Sequence, residues 1–278
     1  MALAYYDEAV AMTLGGGDGS DKLRALSDIA DLGERGGAYA GDVAMLLGDA
    51  DDMVVLGACE ALAQMGEAGA AYASRVAELL RRGSEKRKCF AAGALGMMGP
   101  SAAGYADSVA ALLSSSNTNV KAASVIALGS MKAEGFAKEI GGCLDDASPA
   151  IVNGAITALT LLDTEGKAFA AQVSKKLADS SADVRASAVM YFAKFAESAP
   201  SYADPICALL KDADVGVRQS VVSVFEALKG EAAHMLAGAA KCLGDSDPRC
   251  KAAAALAIGS AGTAASAPGS PGAGLPTG

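Results

Sequence analysis

A 33-residue period governs this chain. The segments VRASAVMYF and VRQSVVSVF lead with Val184 and Val217, and equivalent positions fall at Asp21, Val54, Arg87, Val120, Ile151, Val184, Val217 and Cys250. The intervals are 33, 33, 33, 31, 33, 33 and 33 residues. A period of this length marks units that cannot each bury an apolar face and must stack on their neighbours. The 278 residues exceed the usual span of a single core, which also favours an array.

Two helices per unit follow from the columns around those positions. Four residues on is a small column, Ala25, Ala58, Ala91, Ser124, Ala155, Ala188, Val221 and Ala254. Five on, every residue is apolar, from Leu26 and Cys59 to Val222 and Ala255. Eight on come Ile29, Leu62, Leu95, Leu128, Leu159, Phe192, Phe225 and Ile258. Apolar positions at 0, 4, 5 and 8 make one face of an α-helix, here named helix A. Gly33, Gly66, Gly99 and Gly262 follow at the twelfth position, where a left-handed residue ends a helix, and Pro100 blocks continuation.

Helix B opens on Tyr6, Tyr39, Tyr72, Tyr105, Phe136, Phe169, Tyr202 and Met235, with a branched or small apolar residue four on and Leu eight on, from Leu14 to Leu243. Seven of the thirteen Tyr and Phe residues stand in that leading column, which places them as wedges between stacked helices. Asp51, Ser84, Asn117, Ser148, Ser181, Asp214 and Asp247 then occupy the N-cap position of the next helix A. The expected architecture is all-α: a right-handed α-solenoid of about eight stacked two-helix repeats over 1–262. A Gly/Pro/Ser-rich extended tail over 263–278 has no means of building a core.

Composition excludes several functions. A net charge of −9 lacks the cationic footprint of a nucleic-acid binder, and no apolar run reaches membrane-spanning length. The single histidine, His234, stands at the start of a B helix and reads as a solvated or capping residue, and the Gly-rich stretch at 15–20 follows no strand, so it reads as a turn. The six cysteines form no CxxC pair and lie in separate repeats, so no metal site is expected. They read as buried thiols in a reducing, intracellular compartment. That is the cytoplasm, or a plastid if a targeting segment has been removed.

The copies YADPICALLKDADVGVRQSVVSVFEAL and YAGDVAMLLGDADDMVVLGACEALAQMG resemble the short HEAT repeat of phycobiliprotein-lyase-type, armadillo-like proteins. The resemblance covers residues 5–262. It implies an Asp–Arg ladder between repeats, from basic residues such as Lys22, Lys88, Lys121, Arg185, Arg218 and Lys251 to Asp49, Asp146, Asp179, Asp212 and Asp245. It also implies two functions. One is a non-enzymatic protein-binding scaffold or structural subunit of a large complex. The other is a bilin-lyase-like chaperone subunit in chromophore attachment or antenna assembly. Iron chemistry of the deoxyhypusine hydroxylase kind needs several His-Glu pairs, which this chain lacks.

The scaffold reading predicts no cofactor, no small-molecule substrate and a protein partner. The outward positions of helix B carry mixed charge, among them Arg75, Glu78, Lys138 and Lys175. The local anomaly is RRGSEKRK at 81–88, where Arg81, Arg82, Lys86, Arg87 and Lys88 face only Glu85. This stretch is the candidate contact for an acidic partner. Ser84, preceded by Arg81-Arg82-Gly83 and standing at an N-cap, is a candidate phosphosite, since a phosphate there would meet free N–H groups and arginines.

Overall fold

The computed structural model describes residues 12–228 and 233–265, with backbone alone for 233, 234 and 262–265. The expected wedge Tyr6, the side chain of His234 and the tail over 266–278 lie outside the described residues. The chain divides into two compact units, Met1–Gly166 and Lys167–Gly278, and no strand occurs among the described residues.

In unit one, the A helices are α1 (Gly19–Asp31), α3 (Asp52–Gln64), α6 (Glu85–Met98), α8 (Thr118–Ser130) and α10 (Pro149–Leu161). The B helices are α2 (Ala40–Met45), α5 (Ala73–Arg82), α7 (Ala106–Ala110) and α9 (Ala137–Gly142), and short α4 (Glu67–Ala70) and α11 (Asp163–Lys167) lie in A–B turns. In unit two, B helices α12 (Ala170–Ser174), α14 (Ala203–Ala208) and α16 (Ala233–Leu243) alternate with A helices α13 (Ala182–Lys194), α15 (Val215–Leu228) and α17 (Pro248–Ala265). Within each unit successive A helices pack on one another, and every B helix except α14 packs on the A helix that follows it, α14 packing on the next B helix, α16.

The predicted columns are the core. Val43, Val76, Val109, Ile140, Val173, Ile206 and Ala239, four residues into helix B, are all fully buried. So are Leu62, Leu95, Leu128, Leu159, Phe192 and Phe225 in helix A. The aromatic column does more than wedge. Tyr39, Tyr72, Tyr105, Phe136, Phe169 and Tyr202 are each the N-cap of their B helix, with φ between −91° and −123°. Each ends the A–B turn with a ring against the stack, half-buried except for the buried Tyr39.

Helix termination follows the sequence in three places and departs from it in three. Gly33, Gly66 and Gly99 have φ of +56°, +59° and +61°, the left-handed conformation that costs a β-carbon about 1 kcal/mol or more. Lys132 and Asp163 stand at the same twelfth position with φ of 55° and 44°, so a positive φ occurs there without glycine. Lys132 Nζ then bonds Asp163 and the Leu161 carbonyl. Gly262 does not end its helix: α17 runs on to Ala265, because Gly262 is followed by Thr-Ala-Ala with no proline before residue 268.

The column pattern also fails at its ends. Leu243 is 44% exposed, Ala255 is exposed and Val222 and Ile258 are half-buried, all within the last two A helices and the B helix between them. Asp21, at the first equivalent position, is exposed as its charge requires. Five cysteines are buried, and burial pushes the Cys59 thiol up to about 12 and Cys207 to about 11, which keeps both protonated at neutral pH. Cys89 departs from the expectation, being half-buried.

Candidate functional site

The turns from B into A set the site. At Asp51, Asn117, Asp214 and Asp247 the N-cap side chain accepts a backbone N–H of the first helical turn, as predicted. Asp18 does the same for α1, accepting from Ser20 and Asp21. Its place 33 residues before Asp51 was the signal that could have found it. Ser148 and Ser181 make no side-chain cap bond.

Parts of the expected ladder form. Lys22 meets Asp49 at 2.8 Å and Lys121 meets Asp146 at 2.5 Å in unit one, and Arg185 grips Asp212 with two bonds of 2.7 and 2.8 Å in unit two. The sequence separations are 27, 25 and 27 residues, so the two-residue deletion shortens the middle one without breaking the contact. These partners hold the Asp49, Asp146 and Asp212 carboxyls below the usual range, through the hydrogen bond from the cation first. Elsewhere the ladder fails. Lys88 turns onto Glu85 at 2.7 Å, Asp245 takes Lys211 at 2.8 Å, and the buried Arg218 donates to the carbonyls of Asp212 and Ala213.

The turn after α5 is different, and it holds the predicted basic stretch. A cleft of about 430 Å³ is lined by Leu47 and Gly48, by Arg75, Glu78, Leu79 and Arg82 of α5, by Gly83 and Ser84, and by Arg87 of α6. Five predicted residues thus converge: Arg75, Glu78, Arg82, Ser84 and Arg87. Helix α5 carries Arg75, Glu78 and Arg82 at spacings of three and four, so they share a face. Gly83 lets the chain turn tightly, since a β-carbon there would sit 2.5 Å from the Leu79 carbonyl oxygen.

Arg87 is anchored. Its Nε bonds Asp52 at 2.6 Å and one Nη donates to the carbonyls of Asp49 and Ala50, so its position is fixed by the preceding turn. Arg75, Glu78 and Arg82 are exposed and make no ion pair among the described residues. Ser84 caps α6, its Oγ accepting from Arg87 N–H at 3.4 Å. Arg81 and Lys86 are exposed beside the cleft without lining it, and Lys138 on α9 is exposed apart from it. Lys175 is exposed in unit two.

Nothing in this arrangement positions a nucleophile against a base. Among the described residues no group of three or more His, Cys, Asp or Glu could hold a metal ion, and no helix is long and apolar enough to cross a membrane. What the cleft offers is three guanidiniums against one carboxylate, open to solvent and two of them unspent.

No family model and no curated relative matches the sequence. Solved structures do match in fold. YibA of E. coli aligns with a TM-score of 0.63 at 15% identity, over 92% of this chain and 92% of that one. Kap95p, solved with RanGDP, gives 0.69 at 12%, over 91% of this chain and 40% of that one. The CpcE–CpcF complex of phycocyanin lyase from a Nostoc species gives 0.52 at 17%, over 91% and 93%. Helix pairs at a 33-residue period, the buried columns and these likenesses together give this chain an all-α, HEAT-like solenoid fold.

Proposed function

We propose that the chain is a non-enzymatic protein-binding scaffold, a subunit of a larger protein assembly, and that its partner docks at the basic cleft of unit one. The observation that carries this is the pair of exposed guanidiniums, Arg75 and Arg82, held beside the anchored Arg87 with no ion pair of their own. Exposed long side chains that make no ion pair within the fold stay available to a partner's acids, and ordering them is part of the cost of binding. Repeat solenoids use extended surfaces in this way, and Kap95p, similar in fold, was solved with a bound protein. Arg81, Lys86 and Lys88 belong to the same basic stretch, while Lys138 in unit one and Lys175 in unit two lie on other repeats.

Ser84 adds control. Its phosphorylated form would place a dianion between Arg82 and Arg87 at the N-terminus of α6, which stabilises the turn and fills the contact. The free, buried thiols suit a reducing compartment. Amine-reactive cross-linking of the native complex tests the reading. A stoichiometric partner linked through Lys86 is expected, and a native protein that elutes alone would contradict it.

A second reading, a bilin-lyase-like subunit, is favoured by the likeness to the CpcE–CpcF complex. It predicts bilin absorption that travels with the native protein. Colourless protein after mixing with free bilin would remove it.

A further inference from the structure

Among the described residues, seven turns lead from a B helix opened by residue 39 or later into the next A helix, and six of them are closed from within. In five, an aspartate accepts the N–H two residues on. Asp49 takes it from Asp51, Asp146 from Ser148, Asp179 from Ser181, Asp212 from Asp214 and Asp245 from Asp247, each at 2.9 Å. In the sixth, Ser115 Oγ accepts from Asn117 at 3.1 Å. Four of the five aspartates also hold a cation: Lys22, Lys121, Arg185 and Lys211. A carboxylate bonded to a backbone N–H and a cation is therefore the standard closure of this turn.

The seventh turn lacks it. Arg82 stands where the aspartate belongs, α5 runs on through Arg82, and the Ser84 N–H has no hydrogen-bond partner among the described residues. Val55 stands where Lys22, Lys121 and Arg185 stand in their repeats, so the ladder cation is absent as well. In its place the turn gathers cations of a different origin, Arg75 and Arg82 unpaired and Arg87 with Nη1 unspent. The cleft beside them has room for one or two side chains.

We infer that this cleft receives a carboxylate from an acidic segment of a protein partner, supplying from outside the group that an aspartate supplies inside five of the other six turns. The inference rests on the scaffold reading and names the partner's chemistry. Carboxylate is the group named because an aspartate supplies it in five of the other six turns, and the three guanidiniums leave the cleft net positive despite Glu78. A segment fits better than a small molecule because the cleft is open to solvent and the adjoining stretch adds the exposed Arg81 and Lys86 for further acids.

The test titrates the full chain with a fluorescent hexaglutamate peptide at low salt. Saturable one-to-one binding that weakens as salt rises is expected. Arg82→Asp returns the residue that five other turns carry, and it should lower affinity roughly 20-fold with no drop in melting temperature. Arg82→Gln should lower it roughly 5-fold, and Lys175→Gln less than about 2-fold. If Arg82→Asp does not fold, the Arg75→Gln/Arg82→Gln pair carries the same expectation. The inference falls if the parent shows no saturable binding, if Lys175→Gln costs as much as Arg82→Gln, or if inorganic phosphate displaces the peptide at equal concentration. A native partner still cross-linked through Lys86 with no hexaglutamate binding would overturn the carboxylate assignment and leave the scaffold standing.

Discussion

In unit one the A helices meet through Ala61, Ala94, Ala127 and Ala158, all at most 3% exposed, whereas the same position seven residues on in α13 of unit two is the fully buried Tyr191. Unit one brings backbones together: a β-carbon on Gly96 would lie 2.9 Å from Ala127 Cα, and one on Gly129 would lie closer still to Ala158 Cα. In unit two the stack around α13 fills space with rings instead, while Val224 and Ala257 hold the same position in α15 and α17. Tyr191 meets Phe192 edge-on at 5.3 Å and Phe195 at 4.7 Å, and Phe192 meets Tyr202 at 5.0 Å. One repeat thus supports two packings, and they fail in opposite ways. The Gly96 and Gly129 contacts of unit one have no room for added volume, and the ring cluster around α13 has none to lose.

The comparison breaks most visibly at Phe192. Phe192→Ala removes a fully buried ring and should cost about 3–5 kcal/mol in urea unfolding; a loss under about 1 kcal/mol would mean the ring is not core. Gly129→Ala is the converse probe. Helix propensity alone would favour alanine by about 1 kcal/mol, so a net loss of about 1–3 kcal/mol would isolate the backbone contact. A gain in melting temperature would show that α8 and α10 do not touch there. Tyr191→Phe keeps the ring and deletes the hydroxyl that donates to the Lys167 carbonyl at 3.1 Å. A loss of about 0.5–1.5 kcal/mol is expected, which separates volume from hydrogen bonding inside unit two.

Acid should weaken both units, because each carries cation-paired aspartates in its turns. Asp49 and Asp146 in unit one and Asp212 and Asp245 in unit two are all held below the usual carboxylate range by a paired cation. Their contribution is present above the unfolded value near 4 and is lost as pH falls through the lowered folded values. Melting temperature should therefore be flat from pH 7 to 5 and fall below pH 4. A melting temperature that rose on acidification would contradict the assignment.

Much of this was legible in the sequence, and the reasons differ by residue. The interior columns read correctly because each apolar position repeats and a helix face admits no substitute. Gly33, Gly66 and Gly99 announced their turns, but Lys132 and Asp163 also take a positive φ with ordinary side chains, which composition does not reveal. Leu243 and Ala255 misled because a column says what a position buries only when a neighbour covers it. The basic stretch was visible as charge. Its meaning came from the turn, where the missing aspartate, the anchored Arg87 and the cleft could be seen only together. Arg81, Lys86 and Lys88 share the stretch yet lie outside the cleft, because helix geometry divides neighbours in sequence between faces.

The central claim, that the Arg82 turn is the partner contact of a self-sufficient scaffold, has one direct measurement. The native complex is isolated at low salt from cells carrying either the parent chain or the Arg75→Glu/Arg82→Glu chain, and the cross-linked partner is quantified against bait. The account predicts that the reversed chain melts at the parent's temperature and loses most of its partner. Full retention of the partner by the reversed chain would contradict it.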